Sequence, residues 1–157
     1  MVEWAADRQH VAGSAPYEAA AGYSRAVRVG PFVYVAGTTG LGDDGRVVAG
    51  GAYAQARRAF AIVLGALERA GAGPDDVVRT RMYVTAAEHA GDATRAHAEA
   101  FGAVRPAATL VVVAGLIDPA MLVEVEADAV IGGGAALGGS LGNAPGGPSG
   151  RPLGGAP

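Results

Sequence analysis

The stretch from Val123 to Val130 reads VEVEADAV. Apolar and acidic residues alternate strictly, which is the period of a β-strand with two unlike faces. Val123, Val125, Ala127 and Ala129 fall on one face, and Glu124, Glu126 and Asp128 on the other. The first set asks for a core. The second is costly to bury unless water or cations face it. Such a strand must border a wet cleft or a partner surface. Before it comes a Pro-started apolar strand, Ala107 to Ala114, and a Gly/Asp/Pro turn ending at Pro119.

The rest of the chain supplies a layer to cover the apolar face. Ser24 to Val29 and Phe32 to Gly37 read as strands around a Gly30-Pro31 turn. The segment 40–50, with Asp43-Asp44-Gly45 at its tip, reads as a loop or hairpin that pairs Arg46-Val47-Val48 as a short strand. From Ala52 to Ala70, Tyr53, Ala56, Phe60, Val63, Leu64 and Leu67 recur at helical spacing. Gly71 and Gly73-Pro74 stop that helix. Val77 to Thr85 is a strand, with Val78, Thr80, Met82 and Val84 assigned to its apolar side and Arg79, Arg81 and Tyr83 to the other. A second helix covers about 88–101, and the strands 107–114 and 122–131 follow. This order predicts an α+β fold, a mixed sheet with two helices on one face. Residues 1–19 form an N-terminal arm, 20–131 the domain, and 132–157 a disordered Gly/Pro-rich tail with Arg151 as its one charge.

Composition excludes several functions. A net charge of −3 shows no basic patch for nucleic acid. The absence of Cys removes thiolate nucleophiles and zinc–thiolate sites. No apolar run approaches the ~18 residues of a membrane span, and the N-terminus lacks the apolar core of a signal peptide. A cytoplasmic protein without nucleic-acid or membrane partners is expected. His89 and His97 lie about 12 Å apart along the second helix, too far to share a metal; no metal and no cofactor is expected. His97, with Glu99 or Arg95, is a weaker candidate for the edge of a cleft.

The helix-free face of the sheet would carry arginines from one strand opposite carboxylates of another. Cross-strand pairs of that kind fix register and partner, so a homo-oligomer is predicted.

The ordered set Gly22-Tyr23-Ser24, Val33-Tyr34-Val35-Ala36-Gly37-Thr38, Gln55, Asp75-Asp76-Val77-Val78, Pro106-Ala107-Ala108-Thr109 and Glu124-Val125-Glu126-Ala127 resembles the signature of the YjgF/RidA family. The resemblance spans about 20–131. It implies the fold shared with trimeric chorismate mutases, a homotrimer whose sheets form a central barrel, and small-molecule clefts between subunits. Glu124 matches the glutamate that positions water in the family's imine deaminases. Tyr23 matches a pocket tyrosine, and Gly37 the glycine whose backbone lies against the ligand. Beside it Thr38 stands where more polar residues are common. Ala108 occupies the place of the catalytic arginine, and a methyl group cannot grip a carboxylate. Thr109 offers a hydroxyl beside it.

Two readings of Ala108 stay open. Another arginine supplies the charge, with Arg105, Arg25, Arg81 and Arg95 available, or the ligand has no carboxylate. Pro106 biases Arg105 towards an extended conformation. For Glu124 the competing reading is an interface salt bridge to Arg79 or Arg81. The functions weighed are an imine or enamine hydrolase with a non-standard site, a non-catalytic trimeric ligand binder, and, last, an endoribonuclease.

Overall fold

The protein was analysed as a computed structural model, which describes residues 8–14 and 17–132. Residues 133–157 of the tail expected over 132–157, and residues 1–7 and 15–16 of the expected arm, lie outside the described residues. The elements run β1 (Arg8–Val11), α1 (Tyr17–Ala21), β2 (Ala26–Val29), β3 (Phe32–Thr39), α2 (Gly51–Arg69), β4 (Val77–Val84), α3 (Ala90–Phe101), β5 (Ala107–Val112) and β6 (Val123–Val130). Short 3₁₀ turns, Pro74–Asp76 and Ala87–His89, precede β4 and α3.

The strands form one mixed sheet in the order β1-β2-β3-β6-β4-β5. Only β4 and β5 pair in parallel; β6 runs antiparallel to both β3 and β4. The crossovers β3-α2-β4 and β4-α3-β5 step in the same direction along the sheet. Right-handed crossovers then place both helices on the same face. The last strand of the chain is thus a central strand of the sheet.

The burial of β6 follows its alternation: Val123, Val125, Ala127 and Ala129 are buried against the helices, while the acids face away. Phe60, Val63 and Leu67 of α2 meet them, each fully buried side chain contributing about 1.5–3 kcal/mol. Alanines 52, 56, 59 and 66 on the same helix let it approach the sheet closely. At its C-terminus Ala72 N–H donates to Leu67 O and Gly71 N–H to Glu68 O, both at 2.9 Å. That is a Schellman close, with Gly71 at φ 82 where a Cβ would be strained. Arg28 Nη1 donates to Ala70 O (2.9 Å) and Gln9 Nε2 to Arg69 O (3.1 Å), tying β1 and β2 to the negative end of the helix.

Two sequence expectations are corrected. Val78 is not on the buried side: the ladder slips between Val77 and Arg79, so Val77 is buried and Val78 is 44 % exposed. A bulge inserts one residue and reverses the alternation upstream of it. The segment 46–48 makes only a single bridge, Leu41 to Val47, and no strand. On the open face, Arg81 pairs with Glu126 (3.2 Å) and Asp128 (3.3 Å), and Tyr83 Oη donates to Glu126 Oε1 (3.2 Å).

Candidate functional site

A second irregularity creates the cleft. Val35 pairs with Ala127 but Thr38 with Val125, so β3 carries one extra residue opposite β6 at Ala36-Gly37. A cavity of about 560 Å³ lies against the bulge. Glu124 reaches it from β6, between Thr39 and Tyr83 on the neighbouring strands. Tyr23, Arg25, Gly37 and Thr38 line it beside Glu124. Leu41, Ile62, Ile117 and Met121 form an apolar wall.

Gly37 and Glu124 are made for each other sterically. The carboxylate lies so close to the glycine that a Cβ at 37 would collide with Glu124 Oε1. Glycine is the residue that permits this approach. Burial pushes the Glu124 carboxyl above its ordinary value; the neighbouring Glu126 charge adds to this and Arg25 opposes it. The alternative bridge to Arg79 or Arg81 does not form: Arg81 is taken by Glu126 and Asp128, and Glu124 has no ion pair among the described residues.

Arg25 is buried and held by three acceptors. Its Nη1 donates to Gly37 O (2.8 Å) and Thr38 Oγ1 (2.7 Å), and its Nη2 to Glu18 Oε1 (3.4 Å). Glu18 in turn accepts from Gly13 N–H (2.6 Å). This network fixes the bulged backbone against α1. Thr38 is 2 % exposed, and its hydroxyl also donates to Ala36 O (2.7 Å). It supplies wall rather than a free hydroxyl. Tyr23 stands at the mouth, 38 % exposed, with the Arg25 guanidinium 5.8 Å from its ring centroid.

The remaining expected residues lie elsewhere in the protomer. Ala108 pairs with the buried Thr80 and so shares the helix side of the sheet; Thr109 pairs with Arg81 and shares the open face. Both are exposed on the edge strand β5 and neither lines the cleft. Arg105 does not line it either, and its backbone is not extended: φ is 56, and its N–H closes α3 by donating to Phe101 O (2.8 Å). The helix terminus prevails over the bias set by Pro106.

His97 turns inward. Its Nε2 meets Thr80 Oγ1 at 2.8 Å, its ring packs on Phe60 and Phe101, and burial lowers its pKa. Arg95 and Glu99 instead form a surface cluster, Arg95 over the Tyr53 ring and Glu99 accepting from Tyr53 Oη (2.6 Å). Among the described residues no His, Cys, Asp and Glu group could hold a metal ion.

Sequence reasoning missed the organising role of Arg25 and Glu18, and the apolar wall. Gln55 was visible only as part of the family signature. It is buried, donates to Ala120 O (3.0 Å) and accepts from Leu122 N–H (2.8 Å), which seats Met121 at the cleft. The site thus offers one half-buried carboxylate, a compensated arginine and an apolar wall. A carboxylate whose pKa is raised is a better proton acceptor from water than an ordinary one.

Comparison with known proteins agrees with this fold. The family model described as Endoribonuclease L-PSP matches residues 13–131. The Streptomyces coelicolor "Uncharacterized protein SCO2049" is 39 % identical over 124 residues, covering 79 % of this chain and 92 % of that one. The "RutC family protein PYRAB12510" of Pyrococcus abyssi is 33 % identical over 106 residues, 67 % of this chain and 83 % of its own length. The crystal structure of Rv2704 from Mycobacterium tuberculosis, a member of the YjgF/YER057c/UK114 family, superposes with a TM-score of 0.72 at 48 % identity, covering 80 % of this chain and all of that one. With a match over most of its length and a shared fold, the chain belongs to the YjgF/RidA family, the one whose model carries the Endoribonuclease L-PSP description.

Proposed function

We propose that the protein is a Rid-type small-molecule enzyme that hydrolyses an imine or enamine, with a non-standard site in clefts shared between the subunits of a homotrimer. The observation that carries this reading is Glu124: a half-buried carboxylate in a cleft, held against Gly37, without an ion-pair partner among the described residues and with a raised pKa. In the reaction water adds to the electrophilic iminium carbon as Glu124 takes its proton. The same proton then passes to the nitrogen, the C–N bond breaks as Glu124 takes the remaining hydroxyl proton, and ammonia leaves a carbonyl product and picks up that proton as ammonium. An iminium and one water thus give one carbonyl compound and one ammonium ion. The reaction needs no cofactor or redox partner.

The trimer is part of the same proposal. The open face exposes Phe32, Tyr34 and Val111 around its charged ladder, which suits a surface completed by another copy. A neighbour's edge strand would then bring position 108 to the rim of the cleft. Endoribonuclease activity ranks last, because the open face carries three carboxylates on a chain of net charge −3.

The test is ammonia release from imines generated in situ. Glu124→Gln should lower the rate by about 10²–10⁴-fold, the usual worth of general acid–base catalysis. An unchanged rate removes Glu124 from the chemistry. Saturable ligand binding with no turnover by the native protein would favour the non-catalytic binder.

A further inference from the structure

Three charged side chains line the cleft; Asp43 is paired with Arg58, and Arg25 and Glu124 are not equally available. The Arg25 side chain is 8 % exposed, with Gly37 O, Thr38 Oγ1 and Glu18 Oε1 as acceptors and Tyr23 over its face. Both of its terminal nitrogens already donate within the protein, and Glu18 balances its charge. Among the described residues Glu124 has no such ion pair. A ligand therefore meets one unpaired carboxylate and, in the same cavity, Leu41, Ile62, Met121 and Ile117, the last 87 % exposed on the loop before β6.

We propose that the occupant is an amphipathic protonated amine or iminium with an aliphatic or aromatic body and no carboxylate, its nitrogen at Glu124 and its body on the Leu41–Ile117–Met121 wall. The substrates are then imines of neutral amines, not imines of amino acids. A carboxylate on the ligand would bring a second negative charge beside Glu124, and Arg25, the cation among the described lining residues, is already paired with Glu18. The cationic end, in contrast, pairs with a group whose desolvation is already part of the fold, and the apolar body covers a wall that water otherwise wets. For turnover this deepens the hydrolase reading and rests on it; for binding it stands by itself.

A pair of probes that differ by the carboxylate alone separates the two. The full chain is titrated calorimetrically with 3-methylbutylamine and with leucine. Ammonia release is followed from the imines that an amine oxidase and an amino-acid oxidase make from them. The amine should bind at least about tenfold more tightly than leucine, since an unmatched buried charge weakens binding by that much or more. Glu124→Gln should erase the preference. Ile117→Ser should weaken the amine about three- to tenfold, the loss expected from one or two apolar groups.

Preferential amine binding with turnover of its imine supports both proposals. The same binding with no turnover of either imine supports the ligand class and overturns the hydrolase reading. Equal or tighter leucine binding, or faster turnover of the carboxylated imine, overturns the ligand class and leaves the hydrolase standing. If that leucine preference vanished in Arg105→Ala, the carboxylate grip would belong to Arg105. Binding of neither probe also overturns the ligand class.

Discussion

At the residue scale the site turns on the contact between Glu124 and Gly37. Gly37→Ala would place a Cβ on Glu124 Oε1, the end of a flexible side chain rather than backbone. The carboxylate swings aside and the fold absorbs the change. The expected outcome is a hydrolysis rate close to that of Glu124→Gln, with a thermal midpoint within about 2–4 °C of the native protein, the shift of roughly 1 kcal/mol in a chain this long. A variant that keeps full activity would show that the close approach has no catalytic purpose. Glu124 also sets a pH signature. Its folded pKa is raised, chiefly by burial, so the native state favours the protonated acid. Its stability contribution is present below the ordinary carboxylate range and is lost as pH rises through the raised value. Glu124→Gln should therefore melt about 1–2 °C higher than native at neutral pH, solvent access holding the effect under about 1 kcal/mol. That gain should vanish in acid below the ordinary carboxylate range. Thermal melts across pH check both arms, and a destabilised variant at neutral pH contradicts the sign. Glu124 was legible in the sequence because alternation along one strand is local. Arg25 was legible only as a spare cation, because its acceptors lie on α1 and on the bulge of β3, and no short-range pattern joins them.

At the scale of elements, local pattern predicted most of what is observed. The period of α2, the closing glycine at 71 and the two-faced β6 each depend on neighbours a few residues away. The failures at Val78 and Arg105 have one cause: tertiary pairing overrode a local preference, by a bulge in one case and a helix terminus in the other. Gln55 shows how elements are joined. Its amide bridges α2 to the loop before β6 from a site that is 4 % exposed. Gln55→Met fills similar space but leaves Leu122 N–H and Ala120 C=O without that partner. Each group left unpaired costs about 1–3 kcal/mol, less where water reaches it. Urea unfolding should show that loss, and amide exchange should quicken first at Leu122. Gln55→Glu keeps the acceptor for Leu122 and loses the donor to Ala120, so its Leu122 amide should stay protected. Equal exchange in both variants would mean that the side chain merely fills volume.

For the molecule as a whole, the sheet has two faces and the described residues cover one. Helices α2 and α3 bury the valine and alanine side of β6, while the opposite side exposes Phe32 and Tyr34 beside the ladder of Arg81, Glu126 and Asp128. The mixture of apolar rings and paired charges is what an interface with a second copy needs. The aromatic area supplies affinity and the charges set orientation. How many copies assemble is not written in any period of the sequence, because closure depends on the angle between whole sheets. The homotrimer therefore makes a sharp test. Sedimentation of the native protein should give a mass near three times the 15.4 kDa of the chain. Tyr34 is 51 % exposed within the protomer, and Asp128 is its partner across the strands, so Tyr34→Glu adds a like charge on the open face and disturbs no core contact. That variant should sediment as a single chain with an unchanged far-ultraviolet spectrum. If the clefts are shared, it should also lose imine hydrolysis, although Glu124 and Gly37 remain in place. A monomeric variant with full activity would place the whole reaction within one subunit and would free Ala108 from any part in it.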